Sequence, residues 1–414
     1  MEIKLKYGGG HKTAVFPDDA AVTVLCPHET PVTGDLERAL VHALDAPLGV
    51  PRLEDRPAPA SVAIAVPDET RPTPLKALLP SLLNRLFAAY PSLDPQDVAV
   101  VVGGGLHPAP DNAQLARILP EDMRGCRVVS HDALASPMKR YGLTSRGTPV
   151  EINAHFAAAR LKIVIGQIDP HQFVGFTGGA KGAVVGLASK AMIEASHRFM
   201  TAPGAKVGHV LGNPVREDLN EAGQIIGVDL AVNVVLAPTK QAAAVLAGEP
   251  VRVLQQGAAL AARIYGLTID QPFDLVLASC GGTPKDICLY QAQKGLHHAS
   301  WCAKPGGKIV LLAACEQGVG DDRYLEYVRR FPNPQAQMRE FEKNGFRMGA
   351  HKAYLMSRTL VRHEVIIVSE MSREALAQCH LVKGELQPTL DRWLGESPGA
   401  RIAVVPNANT TFFL

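Results

Sequence analysis

Asp169-Pro-His-Gln-Phe-Val-Gly-Phe-Thr-Gly-Gly-Ala-Lys-Gly182 follows an apolar run of strand length, Leu161 to Gly166, and precedes a segment of helical spacing, Ser189 to Met200. The order is a strand, a loop carrying His171, a glycine turn through Gly178 and Gly179 with Lys181, and a helix carrying His197. Taken singly, each part has an ordinary explanation. Glycines after a strand make tight turns, a lone lysine is usually a solvated charge, and a helix histidine is more often surface or core than ligand. Taken together, two imidazoles and an amine surround one flexible backbone segment at the C-terminal end of a strand. In open α/β sheets that edge binds ligands.

Working outward, the same alternation extends along the chain. Strands are expected at Ser61 to Val66, Val98 to Val102, Arg127 to Ser130 and Leu230 to Leu236, with helices at Leu75 to Ala89, Asn112 to Leu119 and Leu254 to Tyr265. Continuous apolar strands separated by helices predict a parallel sheet covered on both faces. Residues 1 to about 55 read as an antiparallel or irregular opening. Gly266 to Pro272 reads as a junction, after which strands (Phe273 to Ala278, Lys308 to Ala313, Glu364 to Val368, Arg401 to Val405) and helices alternate again. The expected fold class is therefore α/β, with two α/β domains, largely parallel sheets and an active-site cleft between them. The domains are expected at 1–268 and 272–414, with a return of the extreme C-terminus to the first domain left open.

Composition narrows the function classes. At 414 residues the chain exceeds one ordinary core. A net charge of +2, with no basic stripe among aromatics, argues against nucleic acid. No apolar run reaches bilayer length and the N-terminus lacks a signal-peptide core, so a cytoplasmic protein without membrane contact is expected. The seven cysteines are scattered and form no CxxC pair, which fits reduced thiols.

Further loops follow strand ends. Pro67-Asp-Glu-Thr-Arg-Pro72 offers Asp68 and Arg71 together: either a local cap or a guanidinium that grips a carboxylate with two parallel bonds. Gly103-Gly-Gly-Leu-His107 lets backbone approach a ligand and carries His107 at its tip. Ser279 to Asp286 leads to Leu289-Tyr-Gln-Ala-Gln-Lys294, where Tyr290 and Lys294 share a helix face and Gln291 faces Lys294. Gly175 to Gly182 is close to a phosphate-binding P-loop but carries Ala180 in place of its last glycine and Gly182 in place of the magnesium-binding Ser or Thr. A nucleotide-binding phosphotransferase is therefore the alternative reading. HExxH and GxSxG are absent.

At these residues the chain resembles the nickel-pincer lactate racemase family of 2-hydroxyacid racemases and epimerases. The resemblance rests on Asp68-Glu-Thr-Arg71, Gly105-Leu-His107, His171 with Gly175-Phe-Thr-Gly-Gly-Ala-Lys181, His197, and Gly282-Thr-Pro-Lys-Asp286 with Tyr290, Gln291 and Lys294. It implies an isomerase that uses nickel in a pyridinium-3,5-bisthiocarboxylic acid mononucleotide. Lys181 would hold this nucleotide covalently, beside Thr177, Gly178 and Gly179, and His197 would ligate the metal. His107 and His171 would be paired acid and base. Arg71, Asp68, Tyr290, Gln291 and Lys294 would bind a small 2-hydroxy acid. Separate biosynthetic proteins would supply the cofactor, and a homo-oligomer is left open. The sequence departs from the family in two places. Pro108 follows His107 where an arginine is expected, and His351 or Lys352 stands where the lactate-specific members are expected to carry a tryptophan. Lactate is then one substrate among several, with malate or an aldonate at least equal to it.

Overall fold

The computed structural model describes residues 1–414, which form two compact units, Glu29–Ile264 and a discontinuous one made of Met1–His28 with Tyr265–Leu414. No helix is long and apolar enough to cross a membrane.

The unit Glu29–Ile264 is built on a six-stranded sheet. Its strands run Ala242–Gly248, Leu230–Leu236, Leu161–Gln167, Val62–Pro67, Val98–Gly103 and Arg127–Ser130. All neighbours are parallel except the edge pair Leu230–Leu236 with Ala242–Gly248. Val62–Val66 and all of Val98–Gly103 are buried, as strands covered on both faces must be. One covering helix, Leu75–Ala89, presents Leu75, Leu78, Leu79, Leu82, Leu83 and Leu86 on one stripe, all buried. Each contributes about 2 kcal/mol of apolar burial.

The strand order matters for function. From Val62–Pro67 the chain moves outward through the next two strands. It then returns to place Leu161–Gln167 on the opposite side of Val62–Pro67. The loops leaving these two neighbouring strands therefore diverge to opposite sides and open a crevice at their C-terminal ends.

Several elements of this unit were not expected from the sequence, the edge strand Ala242–Gly248 among them. Met138–Leu143 and Pro149–Asn153 form an antiparallel hairpin. Pro214–Ile226 is a helix, capped by the Asn213 side chain, started by Pro214 and stopped by Gly227 at φ +73°.

The second unit carries a six-stranded, wholly parallel sheet: Val382–Lys383, Glu364–Val368, Ala303–Leu312, Phe273–Ser279, Arg401–Val405 and Ala21–Val24. Its last strand comes from the N-terminus. The hairpin Glu2–Tyr7 with Gly10–Val15 adds Leu5, Tyr7 and Ala14 to the same core as Leu275, Val310 and Trp393. The assignment of residues 1–268 to one domain is corrected accordingly: the first 28 residues belong with the C-terminal unit, because Ala21–Val24 completes its sheet edge. The chain end stays in this unit too, with Phe412–Phe413 paired to Gly266–Leu267.

Candidate active site

The crevice in the unit Glu29–Ile264 opens into a cavity lined by Asp68, Arg71, His107, Thr177, Gly178 and Lys181, together with Gly179 and Asn233. Asp68 and Arg71 leave the end of Val62–Pro67, and His107 follows Val98–Gly103. The buried Asp68 places Oδ2 2.7 Å from His107 Nδ1, and its Oδ1 accepts from the Thr70 hydroxyl at 2.5 Å. Burial alone would raise this carboxyl's pKa. The bonds from His107 and Thr70, with Arg71 nearby, outweigh burial and hold it below the usual range. The pair requires Gly104: a Cβ there would lie 2.1 Å from Asp68 Oδ2 and 2.8 Å from His107 Nδ1.

The loop quoted at the outset is clamped from several sides. Gly175, Gly178 and Gly179 hold φ of +80°, +92° and +61°, a region that side chains resist. A Cβ at Gly175 would sit 1.9 Å from the His209 carbonyl oxygen, and one at Gly178 2.4 Å from Ile168. The Gly179 N–H donates to the buried Asn233 Oδ1 at 2.7 Å. Thr177 Oγ1 donates to the Gln167 carbonyl at 2.7 Å and accepts from Asp169 N–H at 2.8 Å. From the helix Pro214–Ile226, Arg216 is fully buried and donates to the carbonyls of Val174, Phe176 and Gly178. Burial lowers its pKa to about 9. Asn213 binds the carbonyls of Phe173 and His209.

Lys181 opens a four-residue helix, Lys181–Val184. Desolvation, reinforced by the charges of Arg71 and Arg216, lowers its amine pKa to about 7. A large part of this amine is therefore neutral and nucleophilic at physiological pH. His197 ends the helix Lys190–His197 and is buried. Burial, then the Lys181 charge, lowers its pKa to about 3, so the imidazole is neutral. Its Nδ1 lies 3.0 Å from Ser196 Oγ, which donates in turn to the Ile193 carbonyl. That hydroxyl has one proton, so it accepts from Nδ1–H and leaves a lone pair on Nε2.

His171 and His197 are not among the residues lining the cavity. Both meet Phe173 edge to face, with ring centroids 4.7 and 5.3 Å away. Val174 N–H points at His171 Nδ1 at 3.4 Å. His197 is tied to the cavity by its electrostatic coupling to Lys181. His131 is buried and binds Asn153 and the Ala188 carbonyl.

Tyr290, Gln291 and Lys294 lie on the helix Leu289–Ala299 of the other unit. Gln291 is exposed, and Tyr290 and Lys294 are partly buried. The Tyr290 ring lies 6.3 Å from the His351 ring, and Lys352 Nζ sits 5.5 Å from its centroid while donating to Gln293 Oε1 at 3.1 Å. His351 itself packs 4.9 Å from the Phe346 ring.

The sequence reading missed Phe173, Asn213, Arg216 and Asn233. Two of them left a signal. Asn233 is a polar residue inside the apolar run Leu230 to Leu236, and Asn213-Pro214 is a helix start.

Comparison with known proteins identifies the family. Residues 7–208 match the family model of the lactate racemase N-terminal domain, and residues 269–408 that of the lactate racemase C-terminal domain. The chain is 28% identical over 378 residues to the lactate racemase of Thermoanaerobacterium thermosaccharolyticum, covering 89% of this chain and 88% of the relative. It is also 28% identical over 384 residues to that of Lactiplantibacillus plantarum, covering 88% of each. The lactate racemase apoprotein structure from T. thermosaccharolyticum superposes with a TM-score of 0.92 at 25% identity, over 100% of both chains. A Thermotoga maritima protein shares the fold at a TM-score of 0.70 and 15% identity, over 94% of this chain and 100% of its own. With both domain models matched in order along the chain, the protein belongs to the lactate racemase family and is an isomerase.

Proposed function

We propose that the protein inverts the configuration at the hydroxyl-bearing carbon of a 2-hydroxy carboxylate, through a planar 2-oxo acid. The observation that carries this reading is the meeting, in one cavity, of a carboxylate-backed imidazole (His107), a guanidinium (Arg71) and a near-neutral amine (Lys181).

The residues present fit a nickel pincer nucleotide. Gly178 and Gly179 bring bare backbone to the cavity wall. Lys181 offers a nucleophilic amine suited to a thioamide link. His197 offers a neutral Nε2 as metal ligand. No three His, Cys, Asp or Glu side chains gather into a metal cage, so a metal held here would draw its other donors from the nucleotide. Sulfur and nitrogen donors suit nickel better than magnesium or calcium. When bound, the group supplies reversible acceptance of hydride, which avoids forming a carbanion beside a carboxylate.

The chain's own groups do the rest. Arg71 forks the substrate carboxylate, so the carbon turns either face without losing its anchor. Asp68 fixes the His107 proton on Nδ1, which leaves Nε2 to take the hydroxyl proton. His171 acts on the opposite face as an imidazolium, which gives the hydroxyl its proton and is left neutral. Each enantiomer then uses one histidine as base and the other as acid. The family resemblance also assigns substrate binding to Tyr290, Gln291 and Lys294, and supply of the nucleotide to separate biosynthetic proteins. The two named relatives are lactate racemases. In this chain, Lys352 and His351 beside Tyr290 favour a hydroxy acid with a polar or anionic side chain, such as malate or an aldonate, alongside lactate. Polarimetry of the cofactor-loaded enzyme across these acids tests this. Racemisation of at least one supports the proposal, and inertness toward all of them contradicts it.

A further inference from the structure

Away from the catalytic cavity, the unit Glu29–Ile264 has a second concavity of about 430 Å³. Its wall carries Lys139 and Tyr141 from one hairpin strand, Arg160, and Lys162 at the start of the strand Leu161–Gln167. Tyr141 is the unpaired residue where the hairpin register shifts between Arg140 and Gly142. Lys139 Nζ lies 5.0 Å from the Tyr141 ring centroid. Arg140 is taken by Glu151 at 2.7 Å.

None of the three cations forms a carboxylate ion pair. Cations often serve helix C-terminal carbonyls, and here several of those carbonyls have other donors. Tyr141 hydroxyl donates to Ala157 O at 3.2 Å, Ala159 N–H to Phe156 O, and the Gly227 and Val228 N–H groups to Gly223 O. Asp229 is the acid facing the group. Its Oδ2 accepts from the Lys162 backbone N–H at 2.8 Å, and its charge supports the Lys162 ammonium. Burial and the charges of Lys139 and Arg160 outweigh that support and lower the Lys162 pKa. Three cations therefore face one partly enclosed space against one acid, an arrangement that attracts a multivalent anion.

We propose that the concavity formed by Lys139, Tyr141, Arg160 and Lys162 binds a phosphate group, free or carried by a small molecule. Lys162 begins the strand whose other end, Ile165 to Gln167, lines the catalytic cavity. The site is thus distinct from that cavity but built on the same strand.

Inorganic phosphate and ribose 5-phosphate are titrated into the apoprotein by calorimetry, with sodium chloride at matched ionic strength as control. Lys139→Ala and the double variant Lys139→Ala/Lys162→Met are compared with the native chain, their folding checked by circular dichroism. Saturable binding of either probe that weakens about tenfold or more in the double variant and persists in Arg71→Ala supports the site. Tighter binding of ribose 5-phosphate identifies a carried phosphate, and equal or weaker binding identifies the free ion. Lys139 is exposed, so its single variant keeps the fold and still weakens binding. Unchanged affinity in folded variants, a response matched by chloride, or loss in Arg71→Ala alone overturns the proposal.

Discussion

Asp68 Oδ2 lies 2.7 Å from His107 Nδ1, with the carboxylate buried and the imidazole about half open to the cavity. An ionised acid in that position selects one tautomer and leaves Nε2 as the free base. Asp68→Asn keeps the shape but removes the charge that selects it. The turnover rate is expected to fall about 10²- to 10⁴-fold, with KM changed little. An unaltered rate contradicts the role given to this pair.

Proton transfer on both faces requires two bases. His107→Ala and His171→Ala should each abolish interconversion in both directions, because the proposed turnover takes a proton at one histidine and returns it at the other. Chiral chromatography from each pure enantiomer reads this directly. Full activity in either variant contradicts the pairing.

Lys181 is the one lysine in the cavity, and its amine titrates near 7 against an ordinary value of about 10.4. In the apoprotein, trinitrophenylation followed by peptide mass analysis should show half-maximal labelling of Lys181 near pH 7. The linkage has a definite sign. Between about pH 7 and pH 10 the unfolded chain keeps a proton on this amine that the folded chain has lost, so stability rises with pH across that window. Below pH 7 the burial penalty is present in full. Lys181→Met therefore unfolds at higher urea than the native apoprotein below pH 7, and the difference disappears toward pH 10. A constant difference at all pH values contradicts the shifted amine.

Gly104 has no room for a methyl group, since its Cβ would lie 2.1 Å from Asp68 Oδ2. Gly104→Ala should separate Asp68 from His107 and abolish activity while the protein still folds. Gly9→Ala meets nothing within 4 Å and should leave activity intact. Equal activity in the two variants contradicts the close-packed pair.

The legible parts of the molecule were those decided locally. Apolar runs such as Val98 to Val102 can only be covered strands, and they gave the parallel sheet and the edge where Asp68, His107 and Lys181 lie. Ala21–Val24 could not be placed from its own residues: it is four residues long, largely exposed, and paired with Arg401–Val405 from the far end of the chain. Ala242–Gly248 is alanine-rich, which favours helix, and becomes a strand through its antiparallel partner Leu230–Leu236. Nothing in the residues around Arg216 marks it. Only the folded loop reveals the three carbonyls that it holds. The role proposed for Lys181 came through resemblance alone, because its lowered pKa depends on burial and on Arg71 and Arg216 brought together by the fold.

The central claim is that Lys181 carries the catalytic nucleotide. Intact-protein mass spectrometry of the chain produced alongside the cofactor-building enzymes tests it most directly. The account predicts a single added mass, mapping to the peptide with Lys181 and absent from Lys181→Ala. An unmodified native chain without nickel under those conditions, or an adduct that survives the substitution, contradicts it.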